Sequence, residues 1–208
     1  MLLRSIVAEN INIEPKAKEI KQITFDIITT TFNEEDSIVD FLNSVFHQTI
    51  QANSLIICDA GSSDKTVALI EDWSRDKDIE VQVIKFNNCS IAKGRNEAAK
   101  YSKSKYLVFA DAGTSLNKNY SEQIIYSFLT DDKIDLVAGW YKPIVKNSIQ
   151  KAFAWFVLPS IENVNPKTFL PSARSMAVKK RVFDLVGGFP EHLSFAGEDT
   201  LFSFFIVF

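Results

Sequence analysis

Tyr106-Leu-Val-Phe-Ala-Asp-Ala-Gly-Thr114 is an apolar run that delivers one carboxylate, Asp111, followed at once by small residues. A short apolar run closed by a turn signal reads as a buried strand. Open α/β sheets bind ligands at the carboxyl ends of their strands, so a carboxylate there is placed to hold a metal ion or a sugar hydroxyl. A strand ending in Asp-Ala-Gly is also an ordinary turn. The neighbouring segments decide between the two.

Those segments alternate. Thr24 to Thr30 and Ser54 to Cys58 read as strands, and Ile38, Phe41, Leu42, Val45 and Phe46 between them fall at helical spacing. Val67, Ile70 and Trp73 mark a second helix, Val81 to Phe86 a strand, and Ser90 to Ser102 a third helix that leads into Tyr106. Strands alternating with helices of this length predict βαβ units and a mainly parallel central sheet flanked by helices. The rhythm breaks past Leu136-Val-Ala-Gly-Trp140, and residues 141–170 read as a loop or lid crossing the sheet. Residues 1–22 read as a leader or edge segment, and residues 23–208 as a single domain.

Composition narrows the class. A chain of 208 residues with 46% hydrophobic and 24% charged residues has an ordinary globular make-up and can bury a substantial core. A net charge of −3 gives no basic surface for nucleic acid. Cys58 and Cys89 make neither a metal spacing nor a disulfide framework, and Cys58 reads as a small core residue in a reducing compartment. The opening Met-Leu-Leu-Arg lacks the features of a signal peptide, and no apolar stretch reaches the length of a membrane span, so the expected location is cytoplasmic.

Polar residues collect where the strands end. Thr30-Thr-Phe-Asn-Glu-Glu-Asp-Ser37 offers Asp36 or Ser37 as a helix cap. Cys58-Asp-Ala-Gly-Ser-Ser-Asp64 combines a carboxylate, Asp59, a sharp turn at Gly61 and caps for the next helix; Asp59 suits a base or ribose donor as well as its own turn. Neither GxxxxGK[ST] nor GxGxxG occurs. Lys93 and Arg95 sit near a helix start, where cations oppose the helix dipole; a diphosphate would account for both, as would a solvated face. Gly187-Gly-Phe-Pro190 precedes Glu198-Asp199, a pair that suits either the dipole of a helix start or a general base.

In their order, Thr31-Phe-Asn-Glu-Glu35, Asp59-Ala-Gly-Ser-Ser-Asp64, Gly94-Arg-Asn96, the strand ending at Asp111, Gly187-Gly-Phe-Pro190 and Glu198-Asp199 resemble the family 2 glycosyltransferases, inverting enzymes of the GT-A fold. The resemblance runs from about Ile23 to Leu201 and implies a nucleotide-binding half over about 23–115 and an acceptor half over about 116–208. It implies sugar transfer from a nucleotide-diphosphate donor, expected to be UDP-linked, to a saccharide or lipid-linked acceptor. By the same resemblance Thr31 and Glu34 lie beside the base and ribose, Asp59 pairs with the base edge, and Lys93 and Arg95 face the donor. Asp111 matches the first acid of the DxD motif, beside the ribose and a Mg2+ or Mn2+ ion, and Asp199 matches the base that deprotonates the acceptor. Arg174, Gly188 and Glu198 fall on the acceptor side; Arg174 suits a phosphate, an acidic acceptor or an ion-pair partner within the fold alike.

The chain departs from the family pattern. Gly113 replaces the second DxD acid, which weakens the expected metal site, and Thr30 stands where proline is common. Leu201-Phe-Ser-Phe-Phe-Ile-Val-Phe208 reads as apolar all round, which suggests truncation, an altered reading frame, or a surface for a partner or for peripheral contact with the inner membrane face. Two other classes compete: a nucleotidyltransferase, disfavoured because no glycine-rich loop follows the first strand, and a non-catalytic nucleotide-sugar-binding remnant, which Gly113 and the apolar end favour.

Overall fold

A strand paired on both edges and covered by helices on both faces is buried all round, and the three apolar runs of the sequence use that option. The computed structural model describes residues 5–7, 23–145, 147–157, 162, 164–165, 168–193 and 196–207. Its strands are β1 (Ser5–Val7), β2 (Phe25–Thr31), β3 (Ser54–Asp59), β4 (Glu80–Lys85), β5 (Tyr106–Ala110), β6 (Leu136–Ala138) and β7 (Ser175–Lys179). They form a sheet in the order β1-β6-β7-β5-β2-β3-β4. Neighbours pair in parallel except β7, which runs antiparallel to both β5 and β6. The helices are α1 (Ile38–Phe46), α2 (Thr66–Ser74), α3 (Ile91–Tyr101), α4 (Tyr120–Thr130), α5 (Ser148–Val157), α6 (Lys180–Val186) and α7 (Glu198–Val207).

Alternation along each central strand sends side chains to opposite faces. Ile27, Ile57 and Val108 join a core completed by Phe41 and Leu42 of α1 and by Ile124 and Ile125 of α4. Ile28, Ile56, Leu107 and Phe109 join a second core with Ala92, Ala98 and Ala99 of α3. In α1 the buried residues Ile38, Phe41, Leu42 and Val45 keep helical spacing. In α3 the buried Ala92, Gly94, Ala98 and Ala99 are small, which brings its backbone close to the sheet, and Ser90 caps its start by accepting Lys93 N–H.

The second core carries the phenylalanine excess. Phe109, Phe183, Phe189 and Phe202 pack edge-on and tilted, with the Phe189 and Phe202 centroids 4.5 Å apart. This cluster sorts the faces of α7. Phe202, Ser203 and Ile206 are buried, whereas Phe204 and Phe205 are exposed. The tail that reads as apolar all round therefore has an inner face, which hydrophobicity alone could not mark.

Several expectations change. Residues 148–157 form α5 where a loop or lid was expected; Asn147 Oδ1 accepts Gln150 N–H at its start, a local cap that a search for apolar period passes over. Helix α4 and strand β7 also went unread. Ser37 stands at the α1 N-cap without a side-chain cap, because its hydroxyl turns to the Glu34 carboxylate. The loops after β2 and β3 instead brace each other: Glu34 N–H donates to Thr66 Oγ1 at 2.7 Å, Glu35 N–H to Asp64 Oδ2 at 3.1 Å, and Lys65 N–H to Glu35 Oε2 at 3.1 Å.

Close approach of α3 gives a test with a definite sign. Gly94→Ala on an open helix would add about 1 kcal/mol of stability, but a Cβ here would lie 2.7 Å from Thr30 Cγ2. Overpacking costs about 1–3 kcal/mol and outweighs the helix term. Urea unfolding of Gly94→Ala should show net destabilisation; a stabilised variant would mean that α3 sits farther from the sheet.

Candidate active site

Parallel β2 and β5 end side by side, and antiparallel β7 begins where β5 ends, with Ser175 opposite Ala110. That crossing direction brings Arg174, just before β7, to Asp111, just after β5. A cleft of about 1760 Å³ opens at these ends, bordered by Thr31, Glu34, Asp111, Tyr120, Trp140 and Arg174. Thr31 is 3% exposed, and among the described residues its hydroxyl has no hydrogen-bond partner. Tyr120 lies at the cleft wall, accepting a hydrogen bond from Ser175 Oγ at 3.2 Å. Burial pushes its phenol up to about 12, with Asp111 adding to the rise against the Ser175 hydrogen bond, so it stays protonated. Cys89 also borders the cleft beside buried Cys58, whose thiol burial pushes up to about 12. Neither thiol is set up as a nucleophile, because burial raises both.

A chain of alternating charges crosses the floor. Glu198 Oε1 accepts from Arg95 Nη1 at 2.8 Å, Arg95 Nη2 donates to Asp111 Oδ1 at 2.7 Å, and Arg174 Nε donates to Asp111 Oδ2 at 3.2 Å. Arg95 is 3% exposed and lies 5.5 Å from the Phe189 ring centroid. Its two carboxylates come from the end of β5 and the start of α7, so the pair clamps α7 to the sheet. Arg174 is half-exposed and stacks 5.1 Å from the Tyr141 ring centroid.

The sequence pattern of Glycosyl transferase family 2 matches residues 26–178, well over half of the chain. The chain belongs to glycosyl transferase family 2. This family 2 chain is similar to the poly(ribitol-phosphate) beta-N-acetylglucosaminyltransferase TarS of Staphylococcus aureus, 23% identical over 184 residues, 86% of this chain and 31% of TarS. The UDP-Glc:alpha-D-GlcNAc-diphosphoundecaprenol beta-1,3-glucosyltransferase WfgD of Escherichia coli is 31% identical over 131 residues, 61% of this chain and 49% of WfgD. Among solved structures, TarS in complex with UDP-GlcNAc matches with a TM-score of 0.68 at 22% identity, covering 89% of this chain and 53% of that one. The Pyrobaculum calidifontis mannosyltransferase PcManGT, in complex with GDP-Man and Mn2+, matches with a TM-score of 0.68 at 17% identity over the same shares. The fold is that of GT-A glycosyltransferases. The chain spans about a third to a half of the length of these relatives.

The predicted site residues of the family 2 chain divide by location. Thr31, Glu34, Asp111 and Arg174 meet at the cleft. Asp59 is buried in its own turn: Oδ2 accepts Gly61 and Ser62 N–H, and Oδ1 accepts the Ser62 hydroxyl. Lys93 and Arg95 part company, since Lys93 stacks 4.9 Å from the Phe86 ring while Arg95 turns into the ion-pair chain. Glu198 is buried against Arg95. Gly188 has φ +75°, and a Cβ there would fall 2.6 Å from Asn96 Oδ1. Its place is therefore set by packing. Asn96 clamps that turn, donating to Phe189 O and accepting Phe189 N–H, both at 2.8 Å. Asp199 is half-buried at the start of α7; Oδ2 accepts Ala173 N–H at 3.2 Å, next to Arg174. Asn96, Tyr120, Trp140 and Tyr141 were missed as site residues, and only Asn96, inside Gly94-Arg-Asn96, carried a sequence signal.

The divalent ion that the resemblance implies does not fit this donor set. Both oxygens of Asp111 face guanidinium groups, and Gly113 supplies no ligand. Among the described residues no group of three or more His, Cys, Asp and Glu side chains could hold a metal. Like unit charges 4 Å apart repel by about 4 kcal/mol at an effective dielectric of 20, and a divalent ion doubles that per neighbour.

Removing Arg95 strands Glu198 as an uncompensated buried charge. Arg95→Met should lower stability by about 3–5 kcal/mol. Arg95→Met with Glu198→Leu should recover much of that loss in chemical unfolding, and equal losses would show that the two side chains are not coupled.

Proposed function

We propose that the chain binds a nucleoside diphosphate sugar, UDP-linked, in this cleft and transfers the sugar with inversion to a saccharide or lipid-linked acceptor. The observation that carries the donor site is the cleft at the carboxyl ends of the strands, which gathers Thr31, Glu34, Asp111 and Arg174. Thr31 and Glu34 take the base and ribose, and Asp111 the ribose. Asp59 acts through the turn it closes, and Arg95 positions Asp111. Family membership, the UDP-GlcNAc complex of TarS and the UDP-Glc donor in the name of WfgD support this reading.

Transfer is a single displacement. The acceptor oxygen bonds to the anomeric carbon as the bond to the donor diphosphate breaks, and the departing electron pair leaves with UDP. Asp199 takes the acceptor proton; the Ala173 N–H on Oδ2 orients its carboxylate. Attack opposite the leaving group inverts the anomeric centre, and a positioned base of this kind contributes roughly 10²–10⁴ in rate.

The proposed setting is the cytoplasmic side of the membrane, with the chain in peripheral contact. Support comes from the diphosphoundecaprenol-linked acceptor in the name of WfgD and from exposed Phe153, Phe204 and Phe205. Among the described residues no helix is long and apolar enough to cross a membrane. A second reading, donor binding without turnover, is favoured by Gly113 alone.

Calorimetric titration with UDP, GDP and dTDP should select UDP. Asp199→Asn should lower transfer from UDP-GlcNAc or UDP-Glc at least a hundredfold while nucleotide affinity stays within threefold. Wild-type transfer by that variant would remove Asp199 from the base role. UDP binding by the native chain with no UDP released from either donor sugar would favour the binding reading.

A further inference from the structure

We infer that Arg174, rather than a divalent metal, neutralises the donor diphosphate. The inference rests on the donor-site reading above and moves Arg174 from the acceptor side to the donor side. Three observations carry it.

First, the acid beside the cleft is already matched by cations. Asp111 Oδ1 is bonded to Arg95 and Oδ2 to Arg174, so a metal at Asp111 would have to displace one guanidinium and sit beside the other. Second, Gly113 has no side chain to replace the lost ligand, and the nearest carboxylate is drawn to its own loop: Glu34 Oε2, 3.8 Å from where a Cβ at Gly113 would lie, accepts the Ser37 hydroxyl. Third, Arg174 is held by one edge and open at the other. Among the described residues its hydrogen bond to Asp111 engages Nε alone, Tyr141 supports the face of the guanidinium, and its side chain remains 47% exposed at the cleft. The terminal nitrogens are left with donors in the fork geometry that matches phosphate oxygens in pairs.

This arrangement supplies what the leaving group needs. As the anomeric C–O bond breaks, its electron pair stays on the diphosphate, and a guanidinium already ordered by Asp111 and Tyr141 meets that charge without reorganising. The buried neighbour, Arg95, stays with Glu198 and Asp111 and holds the carboxylate in place for Arg174.

The test compares UDP, GDP and dTDP by calorimetry, in EDTA and in Mn2+, with uridine, guanosine and thymidine followed by ligand-observed NMR. The native chain should bind its diphosphate with affinities within threefold in EDTA and in Mn2+. Arg174→Gln should weaken diphosphate binding at least tenfold, leave the matching nucleoside within threefold, and show partial recovery as Arg174→Lys. Because Arg174 is half-exposed, these variants should unfold at the native midpoint. A tenfold gain on adding Mn2+ to the native chain, or native diphosphate affinity in Arg174→Gln, overturns the inference and leaves the donor site standing. Absence of binding by every nucleotide and nucleoside, from a folded sample, overturns the donor-site reading as well.

Discussion

A guanidinium removed from water has to be met by opposite charge, and Arg95 meets that demand with carboxylates from two distant parts of the chain. Asp111 follows the strand at the middle of the sheet, and Glu198 opens the last helix, 103 residues beyond Arg95. Breaking the contact with Glu198 leaves a buried carboxylate without its counter-charge, whereas Asp111 is partly exposed and keeps Arg174. Phe189 beneath the guanidinium joins this polar node to the cluster of Phe109, Phe183 and Phe202. The Asn96 clamp on the Gly187-Gly188-Phe189 turn secures the same junction from α3. Position of α7, and with it of Asp199, thus follows from one buried ion-pair chain and the aromatic layer under it.

The far wall of the cleft has a different foundation. Loops after β2 and β3 satisfy each other's backbone N–H groups through Ser62, Asp64, Thr66, Asn33 and Glu35. Reciprocal bonds of this type order two loops for little net enthalpy, because each replaces a bond to water. Their value is positional: they hold Glu34 beside Thr31 at the cleft. The site is thereby divided into a wall of uncharged and acidic groups beside β2 and a cationic corner at the end of β5.

Sequence-level reasoning reached the alternation of elements because both faces of β2, β3 and β5 are buried, which leaves continuous apolar runs closed by turn residues. It reached Asp111, Thr31 and Glu34 because ligand sites in such sheets lie at strand carboxyl ends. It did not separate Lys93 from Arg95. Two residues apart on a helix, side chains point to different sides, and that offset sends one to Phe86 and the other into the interior. Gly188 was legible as a special residue, but its neighbour Asn96 Oδ1, which forbids a side chain, lies 92 positions away in the chain.

The alternation of strands and helices from β2 to β5, the strand-end carboxylate and the loss of the second DxD acid at Gly113 were determined by the sequence alone, since each depends on local periodicity or residue identity. Tertiary structure decided which charges meet. Only the antiparallel insertion of β7 between β5 and β6 carries Arg174 to Asp111, and only the packing of α7 on the phenylalanine layer turns Glu198 inward to Arg95. Electrostatic energy depends on distance and burial, which are properties of the assembled fold and leave no periodic trace in the chain that forms it.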